Sequence, residues 1–201
     1  MIRLGITGGI GSGKSYVCRM MEEEFGVPVY NCDIRARIIT LTDTDVIQQL
    51  SALDPLFYDA DGEFDKEHMA RYLFASEDNY RRVNSIIHPA VRRDLREWLS
   101  FRSSAEVVAV ESAILYESHL ETEVDRVLYV DAPLDIRIRR VKRRDGLSSE
   151  QIRQRLARQL TDEARQRADF TLQNDGIEPL APQIRKIIDE IVTNYESRAT
   201  K

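Results

Sequence analysis

Four glycines fall at positions 8, 9, 11 and 13, directly after the apolar run Ile2-Arg3-Leu4-Gly5-Ile6-Thr7 and directly before Lys14-Ser15. The run reads as a short buried strand, and Ser15-Tyr16-Val17-Cys18-Arg19-Met20-Met21 reads as the start of a helix. Strand, glycine loop and helix in that order leave few folds open. The spacing from Gly8 to Ser15 is G-x-x-x-x-G-K-[ST], the phosphate-binding loop. A plain turn gives no reason for Lys and Ser to follow the last glycine. The glycines let the backbone approach a ligand without a Cβ in the way. Loop N–H groups then converge on a phosphate at the positive end of the helix dipole. Lys14 adds a mobile cation for the β- and γ-phosphates, and the Ser15 hydroxyl can ligate Mg²⁺. The segment predicts a nucleoside triphosphate site formed by Gly9, Gly11, Ser12, Gly13, Lys14, Ser15 and Tyr16, with Ser15 on the metal.

Downstream, apolar strands alternate with helical patterns. Val27-Pro28-Val29-Tyr30 predicts a second strand, followed by a helix from Asp33 to Leu41 and another, capped within Thr42-Asp43-Thr44-Asp45, ending near Leu53. Helices are expected over 66–74, 78–87 and 90–101, with Pro89 separating the last two. Glu106–Glu111 and Arg126–Asp131 are apolar-rich runs suited to a parallel sheet buried on two faces. After Pro133 come a helix to about Arg144, one over 149–159 behind a Ser148/Gln151 capping box, and a short one capped by Thr161. Phe170–Gln173 is the fifth strand, Asn174-Asp175-Gly176 a turn, and 178–195 the closing helix. The expected fold is α/β: a three-layer, doubly wound parallel five-stranded sheet of the P-loop NTPase type. It forms a single domain over 1–201, with one helical insert at 60–102 and a basic one at 136–167.

At 201 residues, with 42% apolar and 31% charged residues, the chain suits one such domain. No run approaches the roughly 18 apolar residues of a membrane span. The first strand starts at once, leaving no room for a signal peptide. Cys18 and Cys32 alone make neither a disulfide framework nor a zinc site, so a cytoplasmic protein is expected. A net charge of −5 argues against nucleic acid as a partner. Yet 136–167 holds 11 Lys/Arg against 4 Asp/Glu, a local excess suited to a clamp over a polyphosphate.

Three enzyme classes use this loop. A switch GTPase needs a guanine-reading Asn-Lys-x-Asp, which is missing; the Asp-x-x-Gly at Asp59–Gly62 lies in a polar turn. A motor or transporter usually carries an apolar strand ending in adjacent acids, and none is present. A small-molecule kinase needs a base near the end of the second strand and arginines on a closing segment. Asp33 meets the first need, at the carboxyl edge where ligands bind in such sheets. Arg140 and Arg144 meet the second: four residues apart, they share a helix face and can neutralise a transferring phosphoryl group.

The ordered motifs resemble the dephospho-coenzyme A kinase family along nearly the whole chain. Leu4–Ser15 is similar to its L-T-G-G-I-G-S-G-K-S, and Cys32-Asp33-Ile34-Arg35-Ala36-Arg37 to D-A-D-x-x-A-R. Asn84–Pro89 resembles L-x-x-I-x-H-P, a helix corner in the acceptor-binding insert, and Ile114–Glu117 resembles P-L-L-F-E. Arg140–Ser148 resembles R-x-x-x-R-D-G-L-S, Arg155–Gln159 R-x-x-x-Q, and 168–176 A-D-x-x-I-x-N-D-G. Asn31-Cys32 stands where the family usually has Asp-Ala, Tyr16 replaces a commoner Thr, and Ala113 replaces Pro.

The resemblance implies transfer of phosphate from ATP to the ribose 3′-hydroxyl of dephospho-CoA, the final step of CoA synthesis, with Mg²⁺ as cofactor. It implies Asp33, Lys14, Arg140 and Arg144 as catalytic residues and Asn174 beside the nucleotide. Asp33, His88, Leu115 and Glu117 would contact the acceptor, with 60–102 as CoA-binding insert and 136–167 as lid. The expected partners are the two small-molecule substrates, with no nucleic acid and no membrane, in a monomer or weak homo-oligomer. A nucleoside or nucleotide kinase of the same fold, or a non-catalytic nucleotide-binding regulator, are the alternatives.

Overall fold

The computed structural model describes residues 1–146, 152, 156 and 161–199, which divide into two compact units, Met1–Asn31 with Arg102–Lys201, and Cys32–Phe101. The first unit is an α/β sheet domain. Its strands are β1 (Ile2–Thr7), β2 (Val29–Asn31), β3 (Val107–Glu111), β4 (Arg126–Asp131) and β5 (Phe170–Gln173). They lie in the order β2-β3-β1-β4-β5, and every pairing is parallel. The expected five-stranded parallel fold is therefore present. The second strand starts at Val29 rather than Val27. Pro28 has no N–H for the ladder, although its carbonyl accepts from Ala109 N at 2.9 Å.

Helix α1 (Lys14–Phe25) leaves the loop after β1. Alternation in β1 sends Ile2, Leu4 and Ile6 to one face, where they meet Val17 and Met21 of α1. Leu128, Val130 and Leu172 from β4 and β5 complete this core, with Ile184, Ile187 and Ile191 of the closing helix. Each side chain so buried contributes about 1.5–3 kcal/mol. Eight of these residues, Leu4, Ile6, Val17, Met21, Leu128, Val130, Leu172 and Ile184, have no exposed surface, so the floor beneath the loop is closely packed.

The second unit is helical: α2 (Cys32–Thr42), α3 (Thr44–Leu53), α4 (Lys66–Ala75) and α5 (Glu77–Ser100). Asp43 caps α3 by accepting from Asp45 N and Val46 N, Asp65 caps α4 and Ser76 caps α5. The unit begins at Cys32 rather than at 60, because α2 and α3 pack onto α5 as α4 does. Arg35 clamps α2 to α5 through a two-pronged pair with Asp94.

Pro89 does not end a helix. α5 runs unbroken for 24 residues with Pro89 inside. Proline in a helix interior costs about 3 kcal/mol. It is outweighed here because Val83, Ala90, Val91, Leu95 and Leu99, on both sides of the proline, are all buried along α5. His88 is consequently a half-buried residue in mid-helix, not a corner.

Back in the first unit lie α6 (Leu134–Asp145), α7 (Thr161–Arg167) and α8 (Leu180–Ala199). The helix expected over 149–159, its Ser148/Gln151 box and the Arg155–Gln159 motif fall largely outside the described residues. No helix among the described residues is long and apolar enough to cross a membrane.

Candidate active site

The loop leaves the carboxyl end of β1 and feeds α1 through Gly13, whose φ of 94° lies in the left-handed region. A Cβ there would also stand 2.2 Å from Asn174 Nδ2, so two independent reasons keep position 13 a glycine. Ser12 N donates back to Gly9 O at 3.0 Å and Val17 N to Gly13 O at 3.1 Å, closing the turn onto the helix. Lys14 is nearly buried, and its Nζ donates to Gly8 O at 2.7 Å across the loop.

Ser15 Oγ donates to Glu111 Oε1 at 2.7 Å, and Asn31 Nδ2 donates to Glu111 Oε2 at 2.5 Å. Parallel pairing causes both contacts: β3 lies between β1 and β2, with Glu111 beside Ile6 and Asn31. Glu111 is only 5% exposed, and a carboxylate this buried needs such partners. No pair of adjacent acids marks it in the sequence. A single acid closing the apolar run Val107–Glu111 was the available signal. Asn31 also gains a reason. A second carboxylate there would face Glu111 at hydrogen-bond distance, whereas the amide donates.

Asn174, directly after β5, is 7% exposed, and its Nδ2 donates to Ser12 O at 2.7 Å. Arg140 Nη1 donates to Ser12 O at 3.1 Å, and its Nη2 donates to the Asn174 carbonyl at 3.1 Å and side-chain oxygen at 3.2 Å. Arg140 is thus tied to the loop's own backbone. Arg144, one turn on, is exposed and pairs instead with Asp145, whose hydrogen bonds raise its already high pKa against the opposing effect of burial. The two arginines share a helix but not an environment.

Tyr16 is exposed with Arg19 over its ring. Leu115 has no exposed surface, and its δ-carbons fill the space beside Gly5, so its place is in the packing. Glu117 is half-buried and lines a small crevice with Thr7, Gly8 and Tyr129. Asp33 is exposed in the first turn of α2, two residues after β2 ends. Cys18 and Cys32 are buried and outside any disulfide, and burial, then the charge of Glu111, drives the Cys18 thiol far up, so it stays protonated. No cluster of three or more His, Cys, Asp or Glu able to hold a metal occurs among the described residues. Ser15 and Glu111 are hard oxygen donors of the kind that suits Mg²⁺, which usually takes one or two protein oxygens plus substrate phosphates.

A parallel sheet whose first strand runs into this loop, with an acid closing the neighbouring strand, defines a P-loop kinase architecture. Shikimate kinase from Acinetobacter baumannii shares the fold, with a TM-score of 0.54 at 17% identity over 96% of this chain and 94% of that one. A family model for dephospho-CoA kinase matches residues 2–179. The dephospho-CoA kinase of Bacteroides fragilis is 44% identical over 190 residues, 93% of this chain and 91% of its own length. That of Porphyromonas gingivalis is 40% identical, covering 96% of both chains. A solved Thermus thermophilus protein superposes with a TM-score of 0.81 at 32% identity, covering 96% of this chain and 97% of that one. The chain belongs to the dephospho-CoA kinase family.

Proposed function

We propose that the chain transfers the γ-phosphoryl group of ATP to the ribose 3′-hydroxyl of dephospho-CoA, giving coenzyme A and ADP. The observation that carries the proposal is the Ser15–Glu111 hydrogen bond beside a complete phosphate loop. Family membership selects the acceptor. Asp33 takes the proton of the 3′-hydroxyl as that oxygen bonds to the γ-phosphorus. The bond from the γ-phosphorus to the β,γ-bridging oxygen breaks, and ADP leaves with its electron pair. Lys14 exchanges the Gly8 carbonyl for phosphate oxygens. Ser15 and Glu111 would hold Mg²⁺, which when bound screens the phosphate charge.

Arg144 supplies positive charge to the phosphoryl group in transfer, and Arg140 with Asn174 keeps the loop in shape beside the nucleotide. His88 and Glu117 contact the acceptor, with Leu115 supporting Glu117 from the core. The helical unit receives the CoA moiety, and the basic segment 136–167 covers the site against water, because exposed ATP would otherwise hydrolyse. The protein works in the cytoplasm as a monomer or weak homo-oligomer, on small molecules alone.

The test is phosphoryl transfer from ATP to dephospho-CoA, adenosine, AMP or no acceptor, with product mass read out. One added phosphate on dephospho-CoA alone supports the proposal, as does its loss by a hundredfold or so in Asp33→Asn with ATP binding kept. Transfer only to AMP or adenosine would replace the acceptor. Slow hydrolysis in every tube would leave a nucleotide-binding regulator.

A further inference from the structure

No motif in the sequence points to Arg137, yet it is only 9% exposed, and arginine is rarely buried so far without partners. It lies on α6 one turn before Arg140, and its Nε donates to the Ile10 carbonyl at 3.1 Å. Its Nη2 is buried with no hydrogen-bond partner among the described residues. That nitrogen is 1.9 Å from the place a Cβ on Gly9 would occupy, and the guanidinium carbon 2.4 Å. Gly8, Gly11 and Gly13 have φ of 150°, 79° and 94°, but Gly9 is not among the residues with positive φ. Backbone strain therefore does not explain a glycine at position 9.

We propose that Arg137 is a positioning residue for the phosphate loop, and that its guanidinium is the reason position 9 is glycine. Across a trans peptide the carbonyl and the next N–H point in opposite directions. Holding Ile10 O turns the N–H of Gly11 toward the other side of the loop. Holding Ser12 O, as Arg140 and Asn174 do, turns the N–H of Gly13 the same way. Arg137 and Arg140, three residues apart on one helix face, thus set the loop's peptide planes before any anion arrives. A loop already oriented loses less ordering entropy on binding. Tyr129 lies against the same spot. Burial raises its phenol, while the charge of Arg137 and a hydrogen bond from the Gly9 backbone act in the opposite direction.

The inference rests on the reading that this loop holds ATP, and the experiment separates the two. ATP affinity is measured by calorimetry without acceptor, alongside kcat and both KM values, in wild type, Gly9→Ala, Arg137→Ala and the double variant. Arg137→Ala is expected to weaken ATP binding and raise its KM by about tenfold while the acceptor KM stays within twofold. Gly9→Ala is expected to weaken ATP binding by tenfold or more in the wild-type background and by less than threefold where Arg137 is alanine. Equal losses in both backgrounds would overturn the proposal, as would an Arg137→Ala protein that melts earlier but binds ATP normally. If Arg137→Ala does not fold, Arg137→Gln carries the same cycle. Wild-type protein that binds ATP but leaves dephospho-CoA untouched would overturn the proposed reaction and leave this inference standing.

Discussion

Ser15 Oγ and Glu111 Oε1 lie 2.7 Å apart although 96 residues separate them in the chain. The contact joins the last residue of the loop motif to the end of the adjacent strand. It makes Glu111 the group that orients the Ser15 hydroxyl.

Glu111→Gln keeps the shape and removes the charge. Turnover is expected to fall by about 10–100-fold, the usual cost of losing a partner that orients a metal ligand. The half-saturating Mg²⁺ concentration should rise. Steady-state rates across a Mg²⁺ titration measure both, and an unchanged Mg²⁺ dependence would reduce Glu111 to a packing role.

Asn31→Asp replaces a donor with a second carboxylate facing Glu111 Oε2. Without divalent cation the variant is expected to lose about 1–3 kcal/mol of stability, the cost of a broken buried hydrogen bond. Added Mg²⁺ should return more stability to the variant than to the wild type, because two carboxylates bind a dication better than one. Melting curves with Mg²⁺ and with chelator decide this.

Asn174→Leu removes the bond to Ser12 O and one anchor of Arg140. The expected result is an ATP KM raised about tenfold, equivalent to about 1.4 kcal/mol, with the acceptor KM little changed. If the acceptor KM rises instead, Asn174 does not act through the loop.

Acid should destabilise the fold through Asp54 and Asp125. His68 holds the Asp54 carboxyl below its ordinary range, first through their 2.8 Å hydrogen bond, with Leu56 N adding to it. Burial pushes Asp125 up, but the side-chain and backbone hydrogen bonds from Arg3, with its charge, outweigh burial and leave it low. A carboxyl depressed in the folded state adds stability above its unfolded pKa of about 3.9 and loses it as pH falls through the folded value. The melting temperature should therefore hold from pH 7 to 5 and fall below about pH 4. Asp54→Asn with Asp125→Asn should flatten that acid limb, which thermal melts across pH would reveal.

The parts of the site that lie close together in the chain were legible in the residues. Gly8–Ser15 needs only consecutive positions, and the loop's flanking strand and helix follow from local periodicity. The five strands, the closing helix and a cap within Thr42-Asp43-Thr44-Asp45 were readable for the same reason, with Asp43 the residue that caps. Pro89 misled because local helix chemistry opposed it, while the decisive term was the buried stripe from Val83 to Leu99.

Consecutive residues alone specify a phosphate loop between a buried strand and a helix, in a chain of alternating strands and helices. Which distant groups surround that loop follows from the packed fold. Strand order brings Glu111 and Asn31 together beside Ser15, and the packing of α6 and β5 sets Arg137, Arg140 and Asn174 against the loop's carbonyls. Those contacts arise from lateral pairing and helix docking, which depend on interactions summed over the whole core and leave no periodic mark in any local stretch of residues.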